Sequence, residues 1–179
     1  MDRLSTVSDG PLAIISDGHA HTLHQCTAVR RLVLLLCEHG CDAEAQRLGL
    51  QILRHFDSAA FQNHAEEEEF LFPTLLESMA GSDAVCLREM TSGLTQQHRL
   101  LEHMWAGLRM QVSAIATAQS AALDASAVEA FIEANQQHIE REASEMLPMA
   151  SRLFTDNELA YLRHALDGRR QPAMQAGVC

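Results

Sequence analysis

The stretch NHAEEEEFLFP, from Asn63 to Pro73, puts one histidine ahead of four consecutive glutamates and then enters a hard apolar run. A solvent-facing helix can carry Glu66, Glu67, Glu68 and Glu69, but it does not account for His64. A core-facing helix accounts for Phe70, Leu71 and Phe72, but not for the charge. The conflict has to be settled by the rest of the chain.

The chain has 179 residues, the length of one domain with a substantial core. It is 47% hydrophobic but only 4% aromatic, with 9 glycines and 4 prolines. Ala and Leu dominate, and together with Glu, Gln and Arg these are the residues of highest helix propensity. The fold class expected is all-α. Thirteen basic side chains against 24 acidic ones give a net charge of −11. That balance argues against nucleic acid as a partner, because such binding needs a basic footprint, and against an anionic membrane surface. The longest apolar stretch, around Leu32 to Cys37, is far short of a membrane span. The opening MDRLSTVSDG lacks a signal-peptide pattern. A cytoplasmic location is expected, and the odd number of cysteines (Cys26, Cys37, Cys41, Cys86, Cys179) suits reduced thiols.

Five segments carry helical periodicity. The first starts at Pro11, with Ser8 or Asp9 as cap, and ends near Gly40. The second runs from Asp42 to about Met79, bent near Pro73. The third is capped by Ser82 or Asp83 and continues to about Gln119, and the fourth spans about Ala125 to Phe154. TDNE, Thr155 to Glu158, has the pattern of a capping box for a short fifth helix ending at Gly168. Four long helices with short connections imply an up-down-up-down four-helix bundle with a short C-terminal fifth helix. The bundle domain is placed at 11–168, between tails at 1–10 and 169–179.

A helix buries a stripe that advances by alternate steps of three and four. On the first helix the stripe contains His19, on the second His64, on the third His98 and on the fourth His138. One histidine on such a stripe is ordinarily a hydrogen-bonded core residue; one on each of four helices is harder to dismiss. Two are followed by glutamate at i+4, His64–Glu68 and His138–Glu142, a spacing that stacks the pair on one helix face. Burying such groups without partners costs several kcal/mol for each charge. No arginine lies on these stripes near the histidines, so the compensating cation has to come from elsewhere. Two metal ions would supply it; two ferric ions, two carboxylates and an oxo bridge leave a modest positive charge. Nitrogen and oxygen donors without thiolate disfavour structural zinc and suit iron or manganese.

The motifs NHAEEEEFLFP and QHIEREASEMLP, together with the lone histidines of PLAIISDGH and TQQHRLLEHMW, resemble the hemerythrin-like (HHE domain) family over roughly residues 11 to 168. The resemblance implies a four-helix bundle around a non-haem di-iron centre, with oxo- or hydroxo-bridged irons that another divalent metal could replace. It implies His19, His64, His98 and His138 as terminal imidazole ligands, with Glu68 and Glu142 as bridging carboxylates. On that reading Glu67 borders the metal face, while Glu66 and Glu69 point to solvent or accept hydrogen bonds from ligating imidazoles. Oxygen-carrying hemerythrins have a second histidine on the third helix where this chain has Glu102, so one coordination position is open, water-filled or carboxylate-bound. His24 is the fallback ligand on the first helix. His55, on the far side of its helix, is expected to be exposed; His39, His103 and His164 are not expected to ligate.

The function implied is binding or sensing of O2, NO or iron. The alternative is a di-iron enzyme that decomposes peroxide or repairs iron–sulfur clusters, and a metal-free interaction bundle is the third reading. An apolar face on the fifth helix could support a homodimer.

Overall fold

The computed structural model describes residues 10–79 and 83–170. The expected caps Ser8, Asp9 and Ser82, and the tail with Cys179, lie outside the described residues. Five helices and no strands are present among the described residues: α1 (Pro11–His39), α2 (residues 43–77), α3 (Asp83–Ala116), α4 (residues 125–153) and α5 (Asp156–Arg170). None is long and apolar enough to cross a membrane.

Local chemistry sets the ends. Pro11 occupies the first turn of α1, where its missing N–H costs nothing, and Gly40 ends the helix at φ 69°, a left-handed φ that suits glycine. The Asp42 carboxylate accepts from the N–H groups of Glu44 and Ala45 at the start of α2. Asp124 does the same for Ser126 and Ala127 at the start of α4. Before α5, the Thr155 N–H donates to Glu158 at 2.7 Å and the Glu158 N–H returns to the Thr155 hydroxyl at 3.4 Å, which makes the reciprocal cap read from TDNE. That helix does not stop at Gly168 as expected but continues through Arg169 and Arg170.

The long helices α2 and α4 are not uniform α-helices. At three places one turn widens to i→i+5 bonding: Ala60 N–H to His55 O, Phe72 N–H to Glu67 O, and Leu147 N–H to Glu142 O. The last two precede Pro73 and Pro148. A proline ring clashes with the carbonyl four residues back and gives it no N–H, and a widened turn is one way a helix relieves that conflict. The bend expected near Pro73 therefore takes the form of a π-turn ahead of it.

α1 packs on α2 and α4, α3 packs on the same two helices, and α5 lies against α1 and the widened turn of α2. Their apolar side chains form two separate clusters. One includes Cys26, Ile52, Phe56, Leu101, Trp105, Phe131 and Ile132. The other includes Ile15, Leu71, Leu75, Leu94, Met146 and Leu162. Each long helix passes from one cluster to the other, and the order alternates along the chain. Between the two clusters each helix contributes histidine or glutamate: His19 on α1, His64 and Glu67 on α2, His98 on α3, His138 and Glu142 on α4. A polar slab is thus sealed between two apolar plugs.

Next to that slab α1 and α2 approach closely at Gly18. A Cβ there would sit 2.1 Å from the amide nitrogen of Asn63, and the Asn63 carbonyl oxygen is itself held by Arg170 at 3.3 Å. We expect Gly18→Ala to lower stability by displacing Asn63. Gly18→Ala combined with Asn63→Ala should lose less than the sum of the single losses, as read from denaturant midpoints in a double-mutant cycle. Additive losses would contradict the contact.

Candidate metal centre

The four glutamates of the opening stretch take four different directions. Glu66 is fully buried and ion-paired to Arg170, whose Nη2 donates at 2.5 Å. Glu67 is also fully buried and points into the slab. Glu68 lies at the edge, its side chain 20% exposed, and accepts from Arg99 Nη2 at 2.5 Å. Glu69 is on the surface and paired with Arg169.

This corrects the expectation that Glu68 faces the centre while Glu67 only borders it. The helix places Glu67, three residues after His64, where an unbroken i+4 step puts Glu68. The step from His64 to Glu67 is regular α-helix, in which i+3 shares a face with i as i+4 does; the widened turn that starts at Glu67 then carries the buried stripe on by steps of four to Leu71 and Leu75. The sequence contained a usable signal in its prolines. Glu67 precedes Pro73 by the same interval as Glu142 precedes Pro148, whereas the histidine spacing differs between the two motifs.

His19, His98, His138 and Glu142 lie where the stripe reading puts them, all buried. His64 is partly buried, its ring stacked on that of His98 at 4.0 Å between centroids. Ligand atoms of Glu67, His98, His138 and Glu142 all lie within 4.8 Å of one another, and so do those of His64, His98 and His138. His19 Nε2 reaches both carboxylates, at 2.9 Å to Glu67 Oε1 and 2.9 Å to Glu142 Oε2. His98 Nε2 is 3.2 Å from Glu67 Oε2 and 3.8 Å from Glu142 Oε1. Each carboxylate therefore presents its two oxygens to different histidines.

The outward nitrogens are fixed. His98 Nδ1 donates to Glu68 Oε1 at 2.7 Å, and His138 Nδ1 donates to Gln97 Oε1 at 3.2 Å. These bonds put a proton on Nδ1 and aim Nε2 of both rings at the centre, the arrangement that orients imidazoles around a cation. Glu68 thus supports an inward histidine rather than facing the centre itself.

His24 is exposed on the outer face of α1, and Glu102 is engaged by Arg99 at 2.7 Å, so neither joins the cluster. His55 is buried, not exposed as expected, with Nε2 3.1 Å from the Thr22 hydroxyl. The widened turn beginning at His55 is again the feature that straight α-helical phasing misses.

The slab is incompletely satisfied. His64 Nδ1, Glu67 Oε2, His98 Nε2, His138 Nε2 and both oxygens of Glu142 are buried and make no aligned hydrogen bond among the described residues, although several lie at ion-pair distance from one another or from His19. A buried polar atom left unsatisfied costs about 1–3 kcal/mol, more when charged. Here the orphaned atoms converge, and all are lone-pair donors once the imidazoles are neutral. Imidazole nitrogen with carboxylate oxygen, in a largely buried cluster, is a donor set that fits metal cations.

Without a cation the pocket must hold protons instead. Burial opposes charge on His19, but the Glu142 and Glu67 carboxylates beside it outweigh that and raise its pKa to about 10. Burial likewise opposes charge on His98, and the same two glutamates, with Glu68, raise it to about 10. Burial acts to raise Glu67, but His19 and His98 hold it down to about 2. Burial and the neighbouring His98 and His138 push His64 down to about 2. Two imidazolium groups then balance two carboxylates, while His64 stays neutral.

A pH dependence follows for the metal-free protein. Above pH 6.5 the unfolded histidines are neutral, whereas folded His19 and His98 keep their protons to about 10. The fold then binds more protons than the unfolded chain, so stability falls as pH rises through that window. Below pH 6.5 the order reverses for His64 and for His55, which burial lowers to about 4, so stability falls as pH drops. Metal-free stability should peak near pH 6.5, and a bound cation should flatten the alkaline limb by replacing the two protons. Urea midpoints between pH 5 and 9, with and without metal, test this; an alkaline limb indifferent to metal would contradict it.

A family model, the hemerythrin HHE cation binding domain, matches residues 11–150 of this chain. An uncharacterized protein of Haemophilus influenzae (strain ATCC 51907 / DSM 11121 / KW20 / Rd) is 26% identical over 161 residues, which cover 90% of this chain and 90% of that protein.

Proposed function

This chain belongs to the hemerythrin HHE cation-binding domain family, and from that premise we propose that its bundle centre holds two non-haem iron ions and binds a diatomic ligand, O2 or NO, at one of them. The observation that carries this reading is the convergence of orphaned, buried donor atoms from three long helices, α2, α3 and α4, with His19 of α1 reaching both carboxylates among them. The alternating order of the two apolar clusters supports the up-down-up-down arrangement that such a centre needs.

His19, His64, His98 and His138 would provide nitrogen, and Glu67 and Glu142 would each offer one oxygen to either cation. Bound iron supplies an electron-rich centre on which a diatomic ligand can be held. The chain does the rest. Glu68 and Gln97 hold the tautomers of His98 and His138. The two apolar clusters exclude bulk water above and below. Low local dielectric strengthens each carboxylate–cation attraction. Because Glu102 is drawn to Arg99, the third helix offers only His98, which supports an open position for the ligand.

Anaerobic reconstitution should load two irons per chain, with a near-ultraviolet absorption that changes on adding O2 or NO. Glu67→Ala should abolish loading, because it removes a direct oxygen donor. Glu68→Ala should load iron with affinity weakened by about 10- to 100-fold, the usual consequence of losing a partner behind a ligating histidine. Equal metal retention in the two variants, measured by elemental analysis, would contradict the assignment.

A further inference from the structure

Three histidines outside the slab are grouped on the outer side of the α1–α2 interface. His21 and His24 are exposed on α1, with ring centroids 6.4 Å apart. The His21 ring sits edge-on to that of His55 at 4.7 Å. His21 and His55 line two adjoining grooves of about 620 and 520 Å³, and His24 lines the second. Asp17, one helical turn before His21, lines the first.

We propose that His21, His24 and His55 form a second cation site, separate from the slab, that takes a divalent transition metal preferring imidazole nitrogen. His55 is the decisive member. It is only 5% exposed, Thr22 occupies one nitrogen, and Nδ1 is buried without a partner among the described residues. A histidine buried only for packing would leave that nitrogen unsatisfied at a cost; a cation shared with His21 resolves it. His21 and His24 stand at i and i+3, so they share a helix face. As exposed side chains they can turn toward a common ion within nanoseconds. Burial and the neighbouring His21 keep His55 neutral, lowering its pKa to about 4, so its lone pair is available without displacing a proton. Arg54 also lines the second groove, and as an exposed, flexible side chain it can swing clear. Three imidazoles without thiolate suit Zn²⁺, Ni²⁺ or Cu²⁺.

The site is independent of the inner centre. Its test is Zn²⁺ binding by equilibrium dialysis on the full chain with thiols alkylated, comparing wild type, the double variant His21→Ala/His24→Ala, and Glu142→Ala. Wild type should bind one Zn²⁺ more than the double variant, or bind that equivalent at least about tenfold more tightly, since a direct ligand matters no less than an outer partner. Glu142→Ala should keep that equivalent while losing inner metal. Co²⁺ in place of Zn²⁺ should give a visible band that the double variant lacks. Both histidines are exposed, so the variant should retain its helical circular dichroism. Equal Zn²⁺ content and affinity in wild type and the double variant would overturn the site and leave the inner centre untouched. Loss of the equivalent in Glu142→Ala would overturn it too, by assigning that metal to the slab.

Discussion

Two carboxylates, Glu67 and Glu142, stand in the middle of the bundle with no exposure to water, and the rest of the structure depends on how their charge is met. An uncompensated buried charge costs several kcal/mol, a large part of the net stability of a domain of this size. Counter-charge has to be local. Histidine is suited to provide it, because it can carry a proton when the pocket lacks metal and offer a lone pair when metal is present. His19 and His98 are placed for this, each with Nε2 within 3.8 Å of both carboxylates.

Everything outward from that pair serves to hold it. The apolar clusters on either side restrict water and fix the height of the slab. Glu68 and Gln97 lock two of the rings. Arg169 and Arg170 bring the last helix onto Glu69 and Glu66, so the acidic run is neutralised one residue at a time. The run of four glutamates is thus neither a solvent face nor a metal box. It is one inward ligand candidate flanked by three side chains with separate structural partners.

Much of this was legible in the sequence. Helix periodicity and composition give the all-helical fold, and TDNE gives the cap of α5. One histidine per stripe brings His19, His64, His98 and His138 to the same level, and Glu142 with them. What escaped was phase. Counting by i+4 from His64 assigns the inward position to Glu68, where the helix uses i+3, and it turns His55 to solvent because it has no means of representing the widened turn between His55 and His64. Each error lies at or beside such a turn. The prolines carry the missing information for Glu67, since a ring at position 73 disturbs the helix bonds one turn earlier. His55 has no such marker, and its burial depends on packing against α1. The role of Arg169 and Arg170 was hidden by Gly168, which reads as a helix stop but is passed through.

The account rests on cations being held between Glu67 and Glu142. The most direct measurement is anomalous X-ray diffraction at the iron edge from crystals of the iron-loaded protein. The account predicts two anomalous peaks at bonding distance from oxygens of both Glu67 and Glu142, with His98 Nε2 and His138 Nε2 turned toward them and Glu68 still on His98 Nδ1. A centre without anomalous signal, with His19 and His98 still bonded to the carboxylates, would contradict it, and so would peaks seated on Glu68.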